Sequence, residues 1–259
     1  MESSRGNIYD YPKYYDLVYG SDWRAEFDFL CGSFTQYAGR KVDRVFEPAC
    51  GTGRLLYRLG KAGYDVSGLD LNPHAVEYCN ERLVRSQLDP AVWVGDMTDF
   101  RLRPNVDASF NMINSFRHLL DDASASAHLA CMSASLRKGG IYVLGLHLTP
   151  TRGEPMEEEN WSAQRGNLAV NTRLWTTSRD LVRRTETCAV EYGVYTPTRH
   201  LRIADELAFR TYTWPQFEAL VAANRAFEIA GVHDFSYNLN TPTEIQADTE
   251  DVVFVLRKC

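Results

Sequence analysis

Four residues carry the first chemical signal in this chain. Glu47, Gly51 and Gly53 stand in the run Val45-Phe46-Glu47-Pro48-Ala49-Cys50-Gly51-Thr52-Gly53, and Asp70 closes Tyr64-Asp65-Val66-Ser67-Gly68-Leu69-Asp70. A glycine-bearing turn lets backbone approach a ligand, and a carboxylate ending the next strand can accept both hydroxyls of a ribose. Asp70 follows Gly51 by nineteen positions, the spacing of a strand–helix–strand unit that binds a nucleoside-bearing cofactor. A dinucleotide fingerprint needs a third glycine three residues after the second. Arg54-Leu55-Leu56-Tyr57 stands there instead. Glu47, just before the turn, would repel a pyrophosphate but suits a cationic amine or sulfonium. Both features speak against a nicotinamide-dependent dehydrogenase.

Elements of the right kind surround these residues. Phe27, Leu30, Cys31 and Phe34 recur at helical spacing and predict an amphipathic helix over 24–38. Strands are expected at 44–46, 65–69, 91–94, 106–111 and 141–146. Helices are expected at 54–61, from Asn72-Pro73 to about Val84, and from Asp121 or Asp122 to Gly139-Gly140. Such alternation implies a parallel sheet with right-handed crossovers and helices on both faces. Glu47, Asp70, Asp96 and Asn114 all fall at or just beyond carboxyl ends of strands, where such sheets bind ligands. The pattern changes after Pro150. Glu157-Glu158-Glu159 reads as a solvated loop, and alternating runs near 168–174, 187–191 and 207–211 predict an antiparallel excursion of about three strands. Thr213 and Gln216 match a capping box for a helix from Trp214 to about Asn224, and 227–232 and 251–256 supply two last strands.

The segment around Glu47 and Gly51-Thr52-Gly53 closely resembles motif I of the class I S-adenosylmethionine-dependent methyltransferases, and the resemblance extends over roughly residues 9–258. Glu206 to Trp214, with Arg210-Thr211-Tyr212-Thr213, is similar to the return strand of the small-molecule branch, which carries an antiparallel insert after its fifth strand. The resemblance implies a Rossmann-like, seven-stranded, mostly parallel α/β sheet with helices on both faces and an antiparallel β lid over the pocket. Its domain organisation would be an N-terminal helical cap (1–40), a cofactor-binding core (41–150), the insertion (151–212) and a C-terminal return (213–259). The cofactor would be S-adenosyl-L-methionine, with S-adenosyl-L-homocysteine as product. Its methionine part would lie against Ala49, Gly51 and Gly53 with Glu47 in support, its ribose on Asp70, and its adenine against Leu71, Asp96 and the Met97 backbone. Asn114 would line the space between methyl donor and acceptor.

Tyr14, Tyr15 and Tyr19 form a dense aromatic group before the first long helix, and in relatives an N-terminal tyrosine closes over the cofactor. Aromatic faces attract a sulfonium by about 1–2 kcal/mol when desolvated. Tyr14 and Tyr19 are read on the cofactor and Tyr15 on the substrate, while Arg24 is a candidate for the cofactor carboxylate. His118 and His147 are the candidate catalytic groups, since imidazole can orient or deprotonate an acceptor near neutral pH. Trp161 and Arg210 in the excursion are candidate substrate contacts.

Composition narrows the remaining classes. The 259 residues, 44% of them hydrophobic, suffice for one large domain with an insertion. A net charge of −6 gives no general attraction to phosphate backbones and weakens a nucleic-acid reading. The six cysteines are scattered without C-x-x-C or histidine at ligand spacing, so no metal site and no disulfide framework is expected. No apolar run approaches the ~20 residues of a membrane span, and the N-terminus lacks a signal-peptide core. The expectation is a cytoplasmic monomer or homodimer that methylates an O, N or C nucleophile of a small molecule by in-line transfer. A nucleic-acid or protein methyltransferase, or a non-catalytic cofactor-binding protein, are the alternatives.

Overall fold

The computed structural model describes residues 2–259. In chain order its elements are β1 (Glu2–Arg5), a 3-10 turn (Ile8–Asp10), α1 (Pro12–Gly20), α2 (Arg24–Gln36), β2 (Arg44–Pro48), α3 (Leu56–Lys61), β3 (Asp65–Asp70), α4 (Pro73–Arg85), β4 (Val92–Val94) and β5 (Val106–Asn111). A second 3-10 turn (Ser115–His118), α5 (Asp122–Ser135), β6 (Leu136–His147), β7 (Glu158–Arg165), β8 (Leu168–Asp180), β9 (Thr185–Tyr195), β10 (His200–Arg210), α6 (Trp214–Asn224), β11 (Phe227–His233) and β12 (Asp251–Lys258) follow. Seven strands form one sheet in the order β11-β12-β6-β5-β2-β3-β4. Only β12 runs against its neighbours. The reversal of strand order lies between β2 and β5, so the carboxyl ends of β2, β3 and β5 face one crevice.

Local sequence explains the well-formed joints. Asn72 caps α4, its side chain accepting from the N–H groups of His74 (2.8 Å) and Ala75 (3.2 Å), with Pro73 in the first turn. Thr213 and Gln216 make the reciprocal capping box of α6. Along β6, Ile141 and Val143 pack with Phe29, Val45 and Leu55 on one face of the sheet. Tyr142 and Leu144 pack with Phe46, Phe116 and Phe217 on the other. That period of two is what a strand buried on both faces requires.

The lid differs from the expected three strands. Four antiparallel strands, β7 to β10, pair in sequence order, and β1 adds in parallel to β10. Glu158 and Glu159, expected in a loop, open β7, whose outward face is polar and hides its period. The segment before residue 40 therefore supplies a strand as well as helices. On β9 the buried face is Glu186, Cys188, Val190, Tyr192 and Val194, and Thr187, Ala189 and Glu191 stand on the other. A third apolar cluster, built on Ile8, Leu17, Val170, Val190 and Tyr192, fastens the lid to α1. The helix expected to reach Gly139-Gly140 ends at Ser135. Gly140 lies inside β6, where a Cβ would come within 2.6 Å of the Asp107 carbonyl, so this glycine serves close strand approach and not helix termination.

Candidate functional site

A cavity of about 490 Å³ opens at the crevice, walled by Ala49, Gly51 and Thr52 after β2, Asp70, Leu71 and Asn72 after β3, Gly95 and Met97 after β4, and Ile113, Ser115 and His118 after β5. Asn7, Tyr9, Asp10 and Tyr15 of the N-terminal segment close it from above. Asp70 is fixed at both oxygens: Oδ2 accepts from the Gly51 N–H and Oδ1 from the Asn72 N–H, each at 2.8 Å. Burial pushes its carboxyl above the ordinary aspartate range, while the two N–H donors pull it down. Each oxygen retains a second acceptor position, so the carboxylate presents two adjacent acceptors to a ligand. Leu71 is 67% exposed and lines the same cavity, an apolar surface suited to a flat base. Gly53 holds the turn from beneath: its φ is +64°, and a Cβ would come 2.3 Å from Cys79 Sγ.

Glu47 lies behind the turn and does not line the cavity wall. It is buried, its Oε2 has no hydrogen-bond partner among the described residues, and burial pushes its carboxyl well up against the opposing pull of Arg54. Arg54 is itself paired with Glu26 at 2.5 Å. An unpartnered buried acceptor beside a glycine turn, a two-oxygen acceptor at the next strand end and an exposed leucine fit a ligand that carries a cation, a ribose diol and a base.

The other expected contacts divide. Ala49, Gly51, Asp70, Leu71 and Met97 line the cavity together. Asp96 does not: its Oδ1 accepts from the Thr98 N–H (2.7 Å) and hydroxyl (2.8 Å), closing a local turn between Gly95 and Met97. Among the aromatics, Tyr15 faces the cavity, whereas Tyr14 stacks on Tyr11 and Tyr19 is wedged between Tyr15 and Trp161. Arg24 is exposed and stacks on Trp23, away from the crevice. Tyr9 takes the place expected of Tyr14 and Tyr19. Its hydroxyl is hydrogen-bonded to His118 Nε2 at 3.0 Å, and burial holds its phenol well above the usual range. Asp10, also unanticipated, accepts from the Asn72 amide at 2.7 Å and ties the segment to the Asp70 corner.

A second, smaller cavity of about 80 Å³ lies between the end of β6 and the lid, lined by Asn114, Arg117, His147, Trp175, Glu186 and Phe209 among others. The turn at 115–118 partitions the two spaces: Ser115 and His118 face the first, Asn114 and Arg117 the second. Asn114, in the left-handed region (φ +51°), accepts from the His147 N–H at 2.8 Å. His147 Nδ1 is 3.2 Å from Asp251 Oδ1, yet burial, reinforced by Arg117, pushes the imidazole down to about 4. At neutral pH the ring is therefore neutral, and this contact is not an ion pair. Burial lowers His118 as well, and Arg117 adds to the effect.

Arg117 donates to the Arg210 carbonyl (3.0 Å) and pairs with Glu186, which also holds Arg179 and accepts from the Thr176 hydroxyl at 2.9 Å. Two expected substrate contacts line neither cavity. Trp161 packs in the apolar cluster under the lid, and Arg210 clamps Leu120 O (2.7 Å) and Asp122 (2.8 Å), fixing the return strand to α5. Glu186, Arg117 and Arg179 escaped the sequence reading. The one available signal was an acid on the apolar parity of β9. No cluster of potential metal ligands occurs among the described residues.

Residues 45–140 match the family model described as a methyltransferase domain. A dTDP-3-amino-3,4,6-trideoxy-alpha-D-glucopyranose N,N-dimethyltransferase of Streptomyces venezuelae is 29% identical over 138 residues, covering 52% of this chain and 56% of the relative. The chain thus matches about half the length of that relative. A dTDP-3-amino-3,6-dideoxy-alpha-D-glucopyranose N,N-dimethyltransferase of Streptomyces fradiae is 28% identical over 222 residues, 84% of this chain and 82% of the relative. The solved structure of an S-adenosylmethionine-bound amino pentose methyltransferase from Micromonospora echinaspora has the same fold, with a TM-score of 0.74 at 21% identity over 100% of both chains. Fold and crevice define a Rossmann-like protein of the methyltransferase type. Residues 45–140 thus carry a methyltransferase domain, and the chain inserts its antiparallel sheet after β6, the fifth strand of the core.

Proposed function

We propose that this chain is an enzyme that methylates the amino group of a small molecule, with S-adenosylmethionine as donor and S-adenosylhomocysteine as product. The observation that carries the proposal is the Asp70 corner: a half-buried carboxylate held by the Gly51 and Asn72 N–H groups, beside exposed Leu71 and one turn away from unpartnered Glu47. Bound there, the cofactor supplies an electrophilic methyl on a sulfonium. Asp70 would hold the ribose, Leu71 and Met97 the base, Gly51 and Gly53 the backbone approach, and Glu47 the positive charge of the methionyl part. The roles of Asp96, Asn114, Tyr14, Tyr19 and Arg24 toward the cofactor would require rearrangement of the contacts they make here.

The reacting amine of the acceptor would sit beside the 115–118 turn, where His118 faces the cofactor cavity, with the rest of the acceptor toward the lid. Glu159 there is pushed up by burial and by the neighbouring charges of Asp251 and Glu250, so the rim favours a cation, as an amine acceptor is before it loses its proton. Names of the two Streptomyces relatives support an amino sugar carried on a nucleotide. His118, kept neutral by burial and hydrogen-bonded to Tyr9, is the candidate proton acceptor, with His147 orienting the acceptor from the second cavity. Alignment and exclusion of water supply the rest; positional catalysis reaches about 7–11 kcal/mol. No helix among the described residues is long and apolar enough to cross a membrane, and with six unpaired cysteines a cytoplasmic monomer or homodimer is the setting we favour.

Calorimetry with S-adenosylhomocysteine, followed by mass spectrometry of nucleotide-linked amino sugars incubated with enzyme and cofactor, tests both halves. Binding without methylation of any amine would leave a cofactor-binding protein and overturn the enzymatic proposal.

A further inference from the structure

On the outer side of the Gly51–Thr52 turn, away from both cavities described above, lies a third cavity of about 310 Å³. Four arginines from three elements line it: Arg58 of α3, Arg82 and Arg85 of α4, and Arg165 of β7. The cations are spaced by aromatic rings into one ladder. Arg58 lies 4.2 Å from the Trp23 centroid and 4.5 Å from that of Tyr57; Arg82 lies 4.8 Å from Tyr57 and 5.1 Å from Tyr78; Arg85 lies 5.9 Å from Tyr78. Stacking holds the planar guanidinium forks in place before any ligand arrives.

The local charges do not balance. Asp16 is the single acid in the wall, and it takes both Arg82 and Arg165. Arg85 has Glu81 at the rim, 3.3 Å away. Arg58 has no carboxylate partner among the described residues; it donates to the carbonyls of Arg54 and Gly20. Burial lowers its pKa, and the nearby cations Arg82 and Arg54 add to the effect. In a chain of net charge −6, a walled pocket of four cations and one acid is a local reversal of sign. Arg82 also donates to the Thr52 carbonyl at 3.0 Å, so the ladder abuts the backbone of the cofactor turn.

We propose that this pocket is a binding site for a phosphate-bearing small molecule, with Arg58, Arg82 and Arg85 as its oxyanion donors. Guanidinium forks match phosphate oxygens bidentately, and preorganised forks give up little entropy on binding. The inference is independent of the methyltransferase reading, because none of these arginines lines the cofactor cavity.

Titration calorimetry on the full chain with inorganic pyrophosphate, at ionic strength held constant with chloride, tests it. Saturable binding is expected, weakened about tenfold or more by Arg58→Gln and by Arg85→Gln, the loss expected for one charge-assisted contact. Asp70→Ala should leave it unchanged, which separates this site from the cofactor cavity. Arg85 is 62% exposed on its side chain, so Arg85→Gln folds even where Arg58→Gln does not and decides the outcome alone in that event. A nucleoside diphosphate that binds more tightly than pyrophosphate marks the physiological ligand as a nucleotide, and equal affinity marks a free diphosphate; both uphold the site. Heat no greater than for chloride, or affinity indifferent to both arginine variants, overturns it.

Discussion

Asp70 shows how much chemistry one short side chain can concentrate. It ends a strand, anchors the glycine turn through Gly51, opens the next helix through Asn72, and still offers two acceptor positions to the crevice. Asp70→Ala should weaken S-adenosylhomocysteine binding by about a hundredfold, as two charge-assisted contacts of roughly 1.5–3 kcal/mol are lost; retention of affinity in calorimetry would remove Asp70 from the site. Tyr9 and His118 make a second residue-scale case. His118 is depressed by burial, so it is neutral at pH 7 and gains a proton only as pH falls. The proposed role then predicts an acid limb in kcat/KM below about pH 6.5, the ordinary histidine value. His118→Ala should cut kcat by about 10²-fold or more and abolish that limb, whereas Tyr9→Phe should shift the limb while kcat falls less. A pH profile of the same shape in His118→Ala would assign the proton to another group. Sequence named Asp70 because it ends a strand and His118 because it follows one in the segment after β5. It missed Tyr9, which reaches the crevice from a 3-10 turn pinned to the lid by the bond from Ile8 N–H to Asp205 (3.0 Å), a contact spanning 197 positions of the sequence.

At the scale of elements, the joints written in neighbouring residues were legible and the joints between distant ones were not. The caps of α4 and α6 are local motifs, and both form as expected. Asn72→Ala removes two capping bonds and the tie to Asp10; it should lower stability by about 1 kcal/mol in chemical denaturation and loosen the cofactor corner. The lid is held to the core by the pair of Arg117, in the 115–118 turn, with Glu186 of β9, 69 positions away, and Arg179 of neighbouring β8 pairs with the same carboxylate. All three side chains are largely buried. Glu186→Ala strands two arginines in low dielectric, a loss of about 3–5 kcal/mol. In a chain of this size that should lower Tm by roughly 10 °C. S-adenosylhomocysteine binding at the Asp70 corner should survive, because the cluster lies on the lid side of the partition.

The molecule as a whole carries a pH signature. His128 is fully buried between the Met97 carbonyl and the Tyr142 hydroxyl, and burial pushes it down to about 4; His147 is pushed to about 4 as well. Between about pH 6.5 and 4 the unfolded chain protonates these rings and the folded chain does not, so the unfolded state binds more protons and stability falls with falling pH. Each ring contributes a slope of about 1.4 kcal/mol per pH unit across that window. Half-buried Asp70 and buried Glu47, both raised, act in the opposite sense. His147→Gln should therefore flatten the acid decline of Tm measured from pH 6.5 to 4.5, and an unchanged slope would show that His147 is not held neutral.

The sequence by itself determined the strand–helix–strand unit around Gly51 and Asp70, the order of core elements and the presence of a β insertion, because turn chemistry, caps and the periods of two and 3.6 act among near neighbours. Tertiary structure alone decided that Tyr9 and not Tyr14 roofs the crevice, that Arg210 and Trp161 hold the lid in place, and that the 115–118 turn divides one crevice into two. Those outcomes turn on contacts between residues remote in sequence, such as Tyr9 with His118 and Arg117 with Glu186, and burial changes the worth of a charge only after the chain has closed around it.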